Sequence, residues 1–435
     1  MTYTARHNAL VSDGLAWMTR PYRLLRELHG RHGDTFDVDL GRHGRYLIHA
    51  HPDDVKAIFA ADSSLMHAGE GNAVLRTFLG SGSLLLLDGA RHEQERRILQ
   101  PTFHGRRLAR HASTIRDACE KRLSRLSVGE VFRAQEFMQE VTLEVIVGIV
   151  FGELPDAVRH ALTSSLASFL NDPKFNVAFL SQLDAGFEFS QSWCEFLTSL
   201  ERVREILMGE LERRRWEFRT GDDVVTMLLE ARYQDGEPMS DASLIDELLT
   251  MVVTGYETTA TALAWSLYWT HRDASLRAEL ADRSRSAEPS EAHRDDWMSA
   301  LVKETLRIHP VIPIVARRTT RATSIGARVV PEGTTVAPCI YLVHHREDLY
   351  EEPDAFRPAR FLARSYASHE YLPFGGGPRR CLGMGLALME IAIALATLVR
   401  RVDLELVDEA SIVPQRRSVT VAPSRGTPMR VLALH

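Results

Sequence analysis

The stretch YLPFGGGPRRCLG, Tyr371 to Gly383, sets one of the chain's four cysteines behind three consecutive glycines and two arginines. Gly375, Gly376 and Gly377 open backbone angles closed to other residues and let the chain approach a flat object, while Pro378 stiffens the turn. Beyond Cys381, LGMGLALMEIAIALATLVRR carries helical spacing. The sulfur therefore precedes a helix N-terminus, where free amides and partial positive charge favour a thiolate, and Arg379 and Arg380 add to that field. These residue types leave three readings open: a small buried hydrophobe, a redox nucleophile or a soft metal ligand. With no second Cys or His inside the loop, a metal held here has to bring its other ligands with it.

Totals narrow the field. Hydrophobic residues make up 45% and charged residues 25% of 435, an ordinary globular composition that excludes disordered and fibrous classes. The formal net charge of -6 leaves no global positive field for nucleic acid, so none is expected as a partner. Cys119, Cys194, Cys339 and Cys381 are widely spaced and form no CxxC, which argues against a disulfide framework or zinc knuckle and for a reducing, cytoplasmic setting. No window reaches the ~18 uninterrupted apolar residues of a membrane span, so no membrane anchor is expected.

TFDVDLGRHGRYLIHA (Thr35 to Ala50) reads as two strands around a glycine turn, followed by a short helix over HPDDVKAIFA. From about Arg91 to Arg232 the periodicity is helical, broken at Gly129, Gly152 and Pro173. Strand character returns at SIGARVV and TTVAPCIYLVHH, joined by Pro331-Glu332-Gly333, and again at SVTVAP and MRVLAL. The expected fold is mainly α with a smaller β portion (α+β): one domain over 1–435, β-rich from about 35–60, 322–345 and 411–435, helical mainly over 88–310 and 382–400. Leu244 to Trp269 is apolar on nearly every face and reads as a helix through the core, where each polar insertion is costly and therefore informative.

Phe374-Gly375-x-Gly377-x-Arg379-x-Cys381-x-Gly383 resembles the haem-ligand signature of the cytochrome P-450 family, and the resemblance runs from about residue 35 to the C-terminus. LVKETLRIHP supplies Glu304 and Arg307 three apart on one helix face. PDAFRPARF supplies Arg360, which in that family joins the pair in a buried network; Ala359 stands where a glutamate is usual, a departure expected to be peripheral. DGARHEQERRILQPTF is similar to the family's helix over the haem edge, with His92 and Arg96 one turn apart. Arg317 and Arg379 match further propionate-pairing positions, although Arg318 could take the place of Arg317. Thr254-Gly255-Tyr256-Glu257-Thr258-Thr259 resembles the oxygen-activation motif, with Thr254 departing from the usual Ala or Gly; Thr258 can bond its hydroxyl to the Thr254 carbonyl.

The resemblance implies haem b with Cys381 as the iron ligand, cradled by Phe374, Gly375 and Gly383, with its propionates on His92, Arg96, Arg317 and Arg379. It further implies room for dioxygen at Gly255, a hydrogen bond to the oxygen from Thr258 and a proton relay through Glu257. A monooxygenase of this kind hydroxylates a hydrophobic small molecule. Apolar segments around Met66 to Leu87, Phe169 to Phe189, Met251, Thr254 and Val311 to Val315 favour a neutral steroid or terpenoid, with a fatty acid next if a cation such as Arg76 holds its carboxylate. There is no GxGxxG fingerprint and no cysteine cluster. NAD(P)H electrons must then come through a separate ferredoxin or flavodoxin and its reductase, docking on Arg97, Arg106, Arg107, Arg110 and Arg380 of a monomer. The rival readings are a peroxide-dependent haem-thiolate peroxygenase and a non-enzymatic haem-binding sensor.

Overall fold

The computed structural model describes residues 13–40, 44–103, 105–171, 190–217, 221, 223–408 and 412–435. Its strands are β1 (Thr35–Asp39), β2 (Arg45–His49), β3 (Met66–His67), β4 (Val131–Arg133), β5 (Arg317–Thr319), β6 (Thr323–Ile325), β7 (Arg328–Val330), β8 (Thr335–Pro338), β9 (Val402–Leu406), β10 (Pro414–Arg417), β11 (Thr420–Pro423) and β12 (Pro428–Leu434). A five-stranded sheet runs β1-β2-β8-β5-β3. The β1–β2 hairpin pairs Thr35 with His49, β8 joins β2 in parallel through Tyr46 and Thr335, and Arg317 on β5 faces Val336 on β8.

The helical body is organised around a 32-residue central helix, Asp241–Arg272. Ser240 caps it, its side chain accepting from the Ser243 amide, and its apolar circumference is covered on all sides. Ala134–Phe151 packs along it, and Gly152 ends that helix at φ 61°, a left-handed stop that glycine allows. The helix behind the cysteine, Met384–Arg401, runs through the same core. Among the described residues no helix is long and apolar enough to cross a membrane.

The expected α-rich fold with a small β portion is what the chain adopts, with local differences. Val131–Arg133 interrupts the helical stretch as a strand because it pairs with β12 at the far end of the chain. SIGARVV is itself a hairpin, β6 and β7 turning at Gly326, φ 56°. In CIYLVHH the apolar run is helical, Ile340–His344, not a strand: Pro338 closes β8, and all five side chains of the helical turn are buried. Pro173 lies outside the described residues.

Candidate active site

The cysteine loop is tied to the fold at both ends. At its start the Tyr371 hydroxyl donates to Lys303 O at 3.1 Å and the Leu372 amide to His344 Nε2 at 3.0 Å. His344 Nδ1 in turn lies 3.2 Å from the Arg307 carbonyl. Behind this stands the expected network, with Glu304 and Arg307 fully buried: Arg307 Nε lies 2.7 Å from Glu304 Oε2, and Arg360 Nε and the Arg357 amide donate to Glu304 Oε1 at 3.0 and 2.8 Å. Arg307 also donates to the carbonyls of His344 and Pro353, both at 2.8 Å, so both charges are satisfied. Ala359 is exposed, outside the network.

The glycines serve the close approach of the loop to a neighbouring helix, Pro52–Ala60. A Cβ on Gly377, at φ 64°, would sit 2.0 Å from the Phe59 carbonyl oxygen, and one on Gly376 would sit 2.8 Å from the Phe59 ring; Gly375, at φ 67°, has open space. The Cys381 amide donates to Phe374 O at 3.0 Å. Gly383 caps the following helix, and a Cβ placed on it would lie 4.0 Å from the Cys381 sulfur. The thiol is surrounded by protein yet reachable from the adjoining cavity. Burial raises its pKa, outweighing the Gly383 amide, Arg96, Arg380 and the Met384 amide, which all pull it down. The helix terminus and Arg380 therefore act as expected, with Arg96 acting in place of Arg379, but they do not suffice for a thiolate; a cation bonded to the sulfur would complete the balance.

Around the cavity of about 500 Å³ the structure brings together Cys381, His92, Arg96, Arg317, Arg379, Phe374, Gly375, Gly383, Gly255, Glu257 and Thr258. Arg379 donates to the carbonyls of Leu84 and Leu87 and pairs with Asp88 Oδ1 at 2.5 Å, while Asp88 also accepts the amides of Gly69 and Glu70. Arg317 is buried and donates to Ala316 O; Arg318 points out toward Glu70, 3.6 Å away. Of the two, Arg317 is the one that lines the cavity. Burial and mutual repulsion push Arg317 and Arg379 down to about 10 and His92 to about 3. Such a crowd of donors with one carboxylate, Asp88, among them is an anion cradle, and it fits the two propionates of a haem.

On the opposite wall, Thr258 Oγ1 donates to Thr254 O at 2.6 Å, and Thr254 Oγ1 to Thr250 O at 2.7 Å. Glu257 is buried; Thr420 Oγ1 donates to its Oε1 at 3.3 Å and Arg417 Nε lies 3.7 Å from it. Desolvation raises its pKa to about 7, against the pull of Arg417 and Thr420. At Gly255, which lines the cavity, a Cβ would meet Ile146 Cδ1 at 2.9 Å, so the missing side chain lets the central helix and its neighbour close on each other.

The expected apolar wall is present: residues from Ala68 to Leu85, Met251, Thr254 and Val311 to Val315 line the cavity. Phe169 is instead buried in the core, 5.5 Å from the Phe196 ring, and residues 172–189 lie outside the described residues. Arg76 is exposed and away from the wall. Sequence reasoning missed several polar groups that do line it, among them Tyr46, Glu247, Glu390 and Arg416. No motif marks them; only the neutral appearance of the neighbouring segments hid them.

A soft sulfur under one face of the cavity, an anion cradle at its rim and hydroxyls above define a haem-thiolate site. The cytochrome P-450 family model matches residues 12–428. A protein provisionally named cytochrome P-450 135B1, from Mycobacterium bovis and Mycobacterium tuberculosis, is 33% identical over 416 residues, covering 94% of this chain and 87% of that protein. The similarly named 135A1 of Mycobacterium tuberculosis is 32% identical over 413 residues, 94% of this chain and 90% of its own. A solved structure, retinoic acid-bound cyanobacterial CYP120A1, overlays with a TM-score of 0.83 at 18% identity, covering 96% of each chain. The chain belongs to the cytochrome P-450 family. It is a haem b monooxygenase, and NADPH-derived electrons delivered through redox partners are typical of its family.

Proposed function

We propose that this chain hydroxylates a hydrophobic molecule of steroid or terpenoid size in the cavity between Cys381 and the central helix. The observation that carries this reading is the single cavity that touches the cysteine on one side and the Thr254–Thr258 stripe on the other, within a wall of aliphatic and aromatic side chains. Cys381 would hold the iron, while His92, Arg96, Arg317 and Arg379 would hold the propionates and Phe374, Gly375 and Gly383 shape the loop beneath. A thiolate-bound haem supplies oxygen activation, the sulfur's electron density favouring O–O cleavage. Thr258 positions a hydroxyl over the cavity floor. Glu257, poised near neutrality, takes a proton from the Arg417 side and passes it inward.

Interleaved sheets support reading 1–435 as one unit: β1 to β3 share a sheet with β5 and β8, and β4 pairs with β12. Exposed Arg97 and Arg380 near the cysteine loop support docking of a ferredoxin or flavodoxin served by its reductase. Arg107 is half-buried against Met227, and the Arg106 side chain lies outside the described residues. A cytoplasmic monomer completes the reading.

The test is coupling. With NAD(P)H, a ferredoxin and its reductase, Thr258→Ala is expected to consume electrons at a rate near that of the parent while yielding far less hydroxylated product. Equal product per electron in the two proteins would reject the role given to Thr258.

A further inference from the structure

Apart from the haem-edge set and Arg380 beside the cysteine, the cavity wall carries a further cation. Arg416, on β10, lines the cavity together with Trp17, Leu40 and Tyr46. Its Nε donates to Ser418 O at 2.7 Å, and its guanidinium carbon lies 4.9 Å from the centroid of the Trp17 ring. Among the described residues the terminal nitrogens have no hydrogen-bond partner and no carboxylate pairs with this arginine. Its neighbour differs: Arg417 lies on the other side of the strand, with Glu257 at 3.7 Å and Gln139 Oε1 at 3.3 Å.

A half-buried charge without a counter-ion is partly desolvated, and proteins meet that cost by pairing it. Burial pushes Arg416 down to about 10, so it remains a cation at neutral pH. Beside it stands the half-buried Tyr46, whose hydroxyl has no protein partner among the described residues and is itself held neutral by burial. A guanidinium fork with two free nitrogens, fixed by a carbonyl and an aromatic face, next to a phenol donor, is the geometry that takes a carboxylate. Glu247 and Glu390, whose carboxyls burial pushes toward the neutral form, also line the cavity, and most of the remaining wall is apolar.

We infer that Arg416, Tyr46 and Trp17 form a subsite for a carboxylate on the substrate, so that the molecule oxidised is an amphipathic organic acid with an apolar body. This rests on the reading that the same cavity takes the substrate, and it replaces the neutral ligand expected from the sequence.

The experiment uses haem-loaded protein titrated with matched pairs, palmitic acid against methyl palmitate and retinoic acid against its methyl ester, read by spin-state shift and by calorimetry. The parent is expected to bind each acid at least about tenfold tighter than its ester. Arg416→Gln is expected to erase that preference by weakening the acid about tenfold while leaving the ester within about threefold. Arg416→Lys keeps part of it, and Tyr46→Phe costs a smaller share of acid binding alone. Equal affinity of acid and ester in the parent overturns the inference, and so does an equal loss of both in an Arg416→Gln protein with parental haem content. Hydroxylation of the esters as readily as of the acids would sink this subsite alone, whereas loss of thiolate-type spectra would sink the functional reading beneath it.

Discussion

Glu257 shows how a single side chain acquires its chemistry from its surroundings. Its folded pKa rises from 4.5 to about 7 because burial disfavours the anion more than Arg417 and Thr420 favour it. The folded state therefore retains a proton that the unfolded chain releases between those values. Its contribution to stability is whole below pH 4.5, declines as pH rises to about 7 and is level above that. The whole interval corresponds to at most about 3 kcal/mol. Thermal or denaturant unfolding from pH 4.5 to 8 should show this slope in the parent and a flatter profile in Glu257→Gln; parallel profiles would contradict it. Neighbouring residues differ in how readily the sequence disclosed them. Cys381, Glu304, Arg307 and Thr258 sit in dense local patterns and were legible. Tyr46 and Arg416 come together only through the fold, from strands far apart in the chain, so no local spacing announces them.

Elements carry the loop's position. Gly377 combines a left-handed backbone with a Cβ position 2.0 Å from a backbone oxygen of the Pro52–Ala60 helix, which cannot yield as a flexible side chain could. Gly377→Ala is expected to cost at least about 3 kcal/mol and to leave most chains without haem. Gly375→Ala, with the same sign of φ but open space, should cost only about 1–2 kcal/mol. Melting temperature and haem per chain separate the two; similar losses in both would show that the contact with Phe59 is unimportant. At this scale the sequence conveyed the long central helix and the first hairpin, because their periodicities are unambiguous. It misassigned CIYLVHH, since an apolar run buried on every side has no periodicity to read. The glycine run was expected to lie against a flat object; two of its members in fact lie against a helix end.

For the whole molecule, charge distribution is the relevant property. The net charge is -6, yet the surface beside the cysteine loop presents Arg97 and Arg380. If an acidic electron donor docks there, its reduction rate should fall several-fold as ionic strength rises from about 0.05 to 0.5 M, where the screening length shrinks from ~14 to ~4 Å. Stopped-flow reduction by a ferredoxin measures this, and charge reversal at Arg97 should flatten the dependence. A rate indifferent to salt in the parent would remove that surface from consideration. The fold class was legible because helical spacing dominates the chain, whereas the pairing of β4 with β12 required the completed tertiary structure.

The β10–β11 hairpin sets Arg416 toward the cavity and Arg417 toward Glu257 by the alternation of a strand. A one-residue insertion ahead of this pair would exchange the two guanidinia, emptying the anion seat and stripping the proton carrier of its neighbour in one event. Drift in the length of this hairpin is therefore closed as a route to new substrates, and diversification has to proceed by replacing side chains in place.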